Sequence, residues 1–319
     1  MAARLLIARP MPDEVLARAR RDYLVTDNQE DAAWAREALA ARAAEAEALL
    51  IAPGAPLQAA TIAALPESVR IVATFSVGYD HIDLEAARRR GLIVTNTPDV
   101  LTDATADVAL LCLLGAARRA WEGQSLLRRG AWSGWTPVQL MGTHLGGRRL
   151  GILGMGRIGR AVAERARAFG LEIHYHNRSR LPPALEQGAR FHDDPEALLG
   201  VSDFLSLNAP ATAETEGFLD ARRIALLPEG AIVVNTARGT LVDDEALIAA
   251  LRSGRLAAAG LDVFRGEPSL HPGYLELENA FLLPHMGSAT LDTRNAMGFC
   301  CLDNLDAYFA GEAPPDRIA

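Results

Sequence analysis

One segment constrains the fold of this chain more than any other. Residues 148–159 read R-R-L-G-I-L-G-M-G-R-I-G, with glycines at Gly154, Gly156 and Gly159. An apolar strand pattern leads into the glycines. An Ala-rich helical pattern over 158–169 leads out of them, Gly170 ends that helix, and a second strand pattern begins at Leu171. Strand, G-x-G-x-x-G, helix and strand together make the βαβ unit that binds a dinucleotide. Gly154 permits the tight turn, Gly156 lets backbone approach a pyrophosphate, and Gly159 lets helix and strand pack closely. The helix N-terminus then faces the negative charge.

The same alternation runs through the rest of the chain. Strand patterns fall at 4–8, 23–25, 48–51, 71–74 and 92–95, and again at 149–153, 171–175, 203–207, 231–235, 257–263 and 280–283. Helical patterns fill the gaps, among them 12–20, 31–46, 82–90, 103–120 and 291–310. Alternation of this kind predicts parallel sheets covered by helices on both faces. At roughly 100–200 residues per domain, 319 residues predict two such domains. The expected fold is therefore α/β, with two doubly wound Rossmann-like domains and a ligand site in the cleft between them.

Composition removes several function classes. All 32 basic residues are arginine, so a lysine Schiff base, a pyridoxal-phosphate enzyme and a P-loop with its own lysine are excluded. Against 40 acidic residues they leave a net charge of −8, which argues against nucleic acid or an anionic membrane as partner. The longest apolar run, 108–117, falls short of the about 20 residues a membrane span needs and reads as a buried helix. The N-terminal residues read as a first strand rather than a signal peptide. Cys112, Cys300 and Cys301 show no C-x-x-C and no metal-ligand spacing, so no metal is expected and a reducing cytoplasm is.

The second strand of the βαβ unit predicts which cofactor binds. For NAD, an acid about 20 residues after the glycines holds the ribose hydroxyls. That position holds Asn177, followed by Arg178, Ser179 and Arg180. A carboxylate repels a 2′-phosphate, whereas these four side chains donate to it. The expected cofactor is NADP(H), with NADPH preferred over NADH.

Three more segments follow strand patterns, where open α/β sheets place ligands. They are N-T-A-R-G at 235–239, G-L-D-V-F-R-G-E-P at 260–268 and L-P-H-M-G-S-A-T at 283–290. Each taken alone reads as a loop with a charged residue. Together they put Arg238, Glu267 and His285 at the ends of successive strands of one sheet.

These motifs, in this order, closely resemble the D-isomer-specific 2-hydroxyacid dehydrogenases, and the resemblance spans nearly the whole chain. It includes F-S-V-G-Y-D-H-I-D at 75–83 and the Asn96-Thr97-Pro98 turn. The sequence is most similar to the glyoxylate/hydroxypyruvate reductases that prefer NADPH. The resemblance implies a flavodoxin-like substrate-binding domain, 1–99 with 287–319, and an inserted NAD(P)-binding domain, 100–286. It implies reduction of a small 2-oxo acid, glyoxylate or hydroxypyruvate, to glycolate or D-glycerate, in a cytoplasmic homodimer. His285 is then the general acid and Glu267 favours its charged form. Arg238 offers its planar fork to the carboxylate and polarises the ketone. Backbone at Val77 and Gly78, with Ser288, completes the substrate site. Asp262 contacts the nicotinamide carboxamide, and Arg157, Ile158, Asn208, Pro210, Thr236, Ala237 and Gly287 line the cofactor path.

Two features depart from the pattern. Many relatives carry histidine or cysteine before the proline where this chain has Asn208-Ala209-Pro210. The segment 131–137, with Trp132 and Trp135, resembles a dimerisation arm, and Gln139 stands where an aromatic from the neighbouring subunit is expected. The alternatives are reduction of another 2-oxo acid such as 2-ketogluconate, other family oxidations, and a non-catalytic NAD(H)-sensing corepressor-like protein.

Overall fold

The computed structural model describes residues 2–32, 34–54 and 57–319. Met1, Ala33, Ala55 and Pro56, and with them the Ala33 part of the helix expected over 31–46, lie outside the described residues. Twelve strands are present among the described residues: β1 Arg4–Ile7, β2 Leu24–Asp27, β3 Ala48–Ile51, β4 Ile71–Thr74, β5 Ile93–Thr95, β6 Arg149–Leu153, β7 Glu172–His176, β8 Arg190–Phe191, β9 Phe204–Leu207, β10 Ala231–Asn235, β11 Leu256–Leu261 and β12 Ala280–Leu282. They form two sheets, ordered β2-β1-β3-β4-β5 and β12-β11-β10-β9-β6-β7-β8. Among the described residues every pairing within the sheets is parallel. The chain divides into two units, Met1–Leu101 with Ser288–Ala319, and Thr102–Gly287.

The first unit covers both faces of its sheet. Leu5, Ile7, Leu50 and Ala73 pack with Val15 and Leu16 of the helix Asp13–Asp22 and with Cys301, Leu302 and Leu305 of the helix Leu291–Phe309. Leu6, Leu49, Ile51 and Val72 pack on the other face with Ile62, Ala86 and Ala87. With no solvated face, β3 and β4 are apolar and buried at nearly every position instead of alternating. The final helix thus belongs to the core of the first sheet.

In the second unit, β6 lies at the point where strand order reverses. The chain proceeds from β6 through β7 to β8 on one side, then crosses to β9 on the other. Open α/β sheets bind ligands beyond the strand ends at such a point. The apolar run forms the helix Thr102–Ala117, which packs on the helix Arg157–Ala168 in one core. Among the described residues no helix is long and apolar enough to cross a membrane.

Three local readings differ from the structure. The helix expected over 31–46 is only Arg36–Arg42. The Asn28 side chain binds the backbone of Ala32 at both N–H and C=O, and Asp31, at φ 53°, pairs with Arg9, so these residues form a turn. The helix expected over 103–120 breaks after Ala117, and a second helix, Ala120–Arg128, follows Arg119 at φ 53°. Strand β8 has two residues, too few for any periodicity to register.

Candidate active site

The site begins where β6 ends. Gly154 has φ 93°, and a Cβ there would lie 2.6 Å from the Ala209 nitrogen, so the turn passes directly against the chain leaving β9. A Cβ on Gly159 would lie 2.3 Å from the Gly154 carbonyl oxygen. Gly156 is different. Its φ of −76° suits any residue, and a Cβ there would meet no atom of the described residues within 4 Å. Neither strain nor packing calls for glycine at 156, which leaves room for a ligand over the turn. Arg157 and Ile158 open the helix whose first N–H groups have no partner within the helix itself.

Polar groups at the neighbouring strand ends point to the same ligand. Asn208, after β9, donates from Nδ2 to Ser206 Oγ at 2.9 Å, while its Oδ1 is buried with no partner among the described residues. Thr236 Oγ1, after β10, is likewise buried and unpartnered there. Buried polar atoms seldom stay unsatisfied in a complete site. Pro210 and Ala237 adjoin these two residues. A dinucleotide therefore fits the residues present.

The charged trio stands at the ends of β10, β11 and β12. Buried Asn235 ties the first loop, donating to the Arg238 carbonyl at 2.9 Å and accepting from the Ala237 N–H at 3.0 Å. A Cβ on Gly239 would lie 1.9 Å from the Phe264 carbonyl carbon, so only glycine lets this loop lie against the one carrying Glu267. Glu267 Oε1 accepts the Phe264 N–H at 2.7 Å, and Oε2 meets His285 Nδ1 at 2.6 Å. Burial opposes charge on Glu267, but the hydrogen bonds from His285 and Phe264 and the nearby charges of His285 and Arg238 outweigh it and hold the carboxyl below its usual range. An ionised carboxylate at Nδ1 requires the imidazole proton there, which leaves Nε2 as the working nitrogen.

His285 adopts φ 51°, a left-handed conformation that costs a non-glycine residue energy. Asp262 holds it there. The Asp262 carbonyl accepts the His285 N–H at 2.8 Å, and its carboxylate oxygens accept the N–H groups of Met286 and Gly287 at 2.7 and 2.8 Å. Burial pushes the Asp262 carboxyl above its usual range against those two donors. Sequence reasoning reads Asp262 only as a cofactor contact and misses its hold on the histidine loop. An acid just after one strand, with a histidine just after the next, is the available signal.

At the outer edge, Asn177 accepts the Met155 N–H through Oδ1 at 2.7 Å and so ties β7 to the glycine loop. Arg178 and Ser179 are exposed, and Arg178 has no ion-pair partner among the described residues. Arg180 departs from expectation. Its fork grips Glu186 at 2.8 and 3.1 Å, and the Glu186 side chain, only 7% exposed, also accepts from Tyr175 Oη at 2.6 Å. Those hydrogen bonds, Arg180 first, hold Glu186 below the usual carboxylate range.

In the first unit, Val77 and Gly78 lie in the loop after β4, and their N–H groups have no acceptor among the described residues. Ser288 opens the segment leading into the helix Leu291–Phe309, and its carbonyl accepts the Thr290 N–H at 2.8 Å.

Comparison with known proteins agrees with this arrangement. The family model for the NAD binding domain of D-isomer specific 2-hydroxyacid dehydrogenases matches residues 110–287. A glycerate dehydrogenase from Hyphomicrobium methylovorum is 45% identical over 310 residues, 97% of this chain and 96% of that protein. A glyoxylate reductase from Thermococcus litoralis is 40% identical over 322 residues, 100% and 97% of the two chains. The structure of an NADPH-dependent glyoxylate/hydroxypyruvate reductase from Sinorhizobium meliloti, in complex with NADP and malonate, matches with TM-score 0.90 at 34% identity, covering 100% of this chain and 97% of that one. With its glycine turn, its Arg–Glu–His trio and relatives of this extent, the chain belongs to the D-isomer-specific 2-hydroxyacid dehydrogenase family.

Proposed function

We propose that this protein reduces a small 2-oxo acid, glyoxylate or hydroxypyruvate, to the D-2-hydroxy acid, glycolate or D-glycerate, using NADPH in preference to NADH. The observation that carries the reading is the 2.6 Å pair of His285 Nδ1 with the ionised Glu267, with Arg238 close by on a neighbouring strand end. A bound nicotinamide cofactor supplies the hydride. Gly154, Gly156, Arg157, Ile158, Gly159, Asn208, Pro210, Thr236, Ala237, Asp262 and Gly287 hold it. His285 donates a proton from Nε2 to the carbonyl oxygen as charge builds there. Glu267 orients the imidazole by accepting its Nδ1 proton, and Arg238 binds the carboxylate and polarises the ketone. The backbone at Val77 and Gly78, with Ser288, receives the substrate carboxylate.

The preference for NADPH rests on the absence of an acid at Asn177 and on exposed Arg178 and Ser179. Arg180 shapes the loop through Glu186. The relative whose structure contains NADP supports this choice. The protein acts as a homodimer, and free thiols at Cys112, Cys300 and Cys301 suit a reducing cytoplasm.

Initial rates with NADPH and NADH across glyoxylate, hydroxypyruvate and 2-ketogluconate test the reading. One charge-assisted hydrogen bond contributes about 1.5–3 kcal/mol, so kcat/KM should favour NADPH roughly tenfold or more. Arg178→Ile should erase that ratio, whereas Arg180→Gln should weaken both cofactors alike. Equal use of both cofactors by the wild type overturns the preference. No turnover of any 2-oxo acid overturns the function.

A further inference from the structure

The loop after β4 carries a hydrogen-bond chain whose direction elementary chemistry fixes. Ser76 Oγ lies 2.7 Å from the Gly78 carbonyl oxygen. A carbonyl only accepts, so the Ser76 proton is committed to it. Ser76 Oγ also lies 3.0 Å from Thr74 Oγ1, and so must accept there. Thr74 Oγ1, its own proton now committed, lies 3.0 Å from His81 Nε2 and must accept from it. The chain therefore runs His81 to Thr74 to Ser76 to the Gly78 carbonyl. Separately, Asn96 Nδ2 donates to the Val77 carbonyl at 2.9 Å, and the Asn96 N–H is itself seated on the Asp316 carbonyl at 3.2 Å. Thr74, Ser76 and Asn96 are all buried.

Two consecutive carbonyls, Val77 and Gly78, are thus clamped from the protein interior. In a planar trans peptide the N–H of the next residue points opposite to the carbonyl. Holding the Val77 carbonyl aims the Gly78 N–H, and holding the Gly78 carbonyl aims the Tyr79 N–H. Among the described residues neither N–H meets an acceptor. Successive backbone N–H groups held in this way form an anion-binding concavity.

We propose that Ser76 and Asn96 are positioning residues that aim the N–H groups of Gly78 and Tyr79 at the substrate carboxylate, with Thr74 and His81 fixing the direction of the Ser76 proton. The inference rests on the proposed 2-oxo acid reduction and adds the Tyr79 N–H as a carboxylate donor. Neither Ser76 nor Asn96 touches the reacting atoms. Their loss should weaken carboxylate binding and spare the chemical step.

The test compares wild type, Ser76→Ala, Ser76→Thr and Asn96→Asp. It measures KM for glyoxylate, kcat, KM for NADPH, thermal midpoint, and inhibition by oxalate of the NADPH-loaded enzyme. Ser76→Ala should raise glyoxylate KM and the oxalate inhibition constant together by about fivefold, the factor for one neutral hydrogen bond. Its kcat, NADPH KM and thermal midpoint should stay near wild type, and Ser76→Thr should restore binding. Asn96→Asp puts an oxygen against the Val77 carbonyl and should show the same split. Unchanged glyoxylate KM and oxalate inhibition in Ser76→Ala and Asn96→Asp, with active wild type, overturns this inference alone. A parallel fall of kcat, NADPH binding and thermal midpoint also overturns it, because the residues then only support the fold. Wild type inactive toward every 2-oxo acid overturns the proposed function, and this inference with it.

Discussion

His285 is held by two contacts that do different work. The Asp262 carbonyl fixes its strained backbone, and Glu267 fixes its ring. Arg238, Glu267 and His285 are legible in the sequence because their motifs follow successive strand patterns of one sheet, in an order that no single loop would carry. The task of Asp262 is not, because it depends on how closely one loop returns to another in space. The pairing gives a pH prediction. The ionised Glu267 carboxylate holds the ring by accepting its Nδ1 proton. Glu267→Gln removes that carboxylate, so holding the ring no longer depends on its ionisation. The acid limb of kcat/KM that follows Glu267 should then be lost. Because Glu267 is held below the usual carboxylate range, it stays ionised until the pH falls through that lowered value, so in wild type its contribution is lost only in acid. A pH–rate profile measured for both proteins checks this. An acid limb unchanged by the mutation takes Glu267 out of the role.

At the scale of elements, strands buried on both faces were plain in the sequence because each is a short apolar run between turn residues, as β3, β4 and β9 are. The helix Arg36–Arg42 starts late because Asn28 and Asp31 tie the residues before it into a turn, and β8 is too short for a period to show. The glycine turn was legible as a motif, but the distinct tasks of its glycines appear only in space, and they predict distinct outcomes. Gly159→Ala places a methyl 2.3 Å from the Gly154 carbonyl and should lower stability by several kcal/mol, as overpacking does at its upper end. Gly156→Ala meets no atom of the described residues and no backbone strain, so its thermal midpoint should stay within about a degree or two of wild type. Cofactor KM should nevertheless rise by tenfold or more, since one heavy atom stands where the ligand's phosphates approach. Thermal melts of the cofactor-free proteins, with cofactor titrations, separate the two. A Gly156→Ala protein that binds NADPH like wild type would show that the open space over the turn has no occupant.

At the scale of the whole molecule, the segment from Trp121 to Met141 stands apart. The helix Ala120–Arg128 buries none of its nine residues within its own chain. Trp121, Leu127, Trp132, Trp135, Val138 and Met141 are all exposed, Trp135 at 78%. Scattered exposed apolar residues are ordinary, but six in one segment, beside a helix with an unburied apolar stripe, mark an association surface. A second copy of this chain suits that surface, since closed two-fold dimers are the commonest soluble assembly. Wild type should sediment as a dimer at micromolar concentration. Trp135→Glu with Val138→Glu puts two charges into the contact and should yield a folded monomer, checked by sedimentation velocity and circular dichroism. The tryptophans are expected to pack between subunits without reaching the chemistry, so kcat/KM per chain in the monomer should stay within about twofold of wild type, less than one hydrogen bond's worth. A loss of activity much larger than that, with the fold intact, would mean that the arm of one subunit completes the site of the other. A wild type that sediments as a monomer would leave the apolar segment to some other partner.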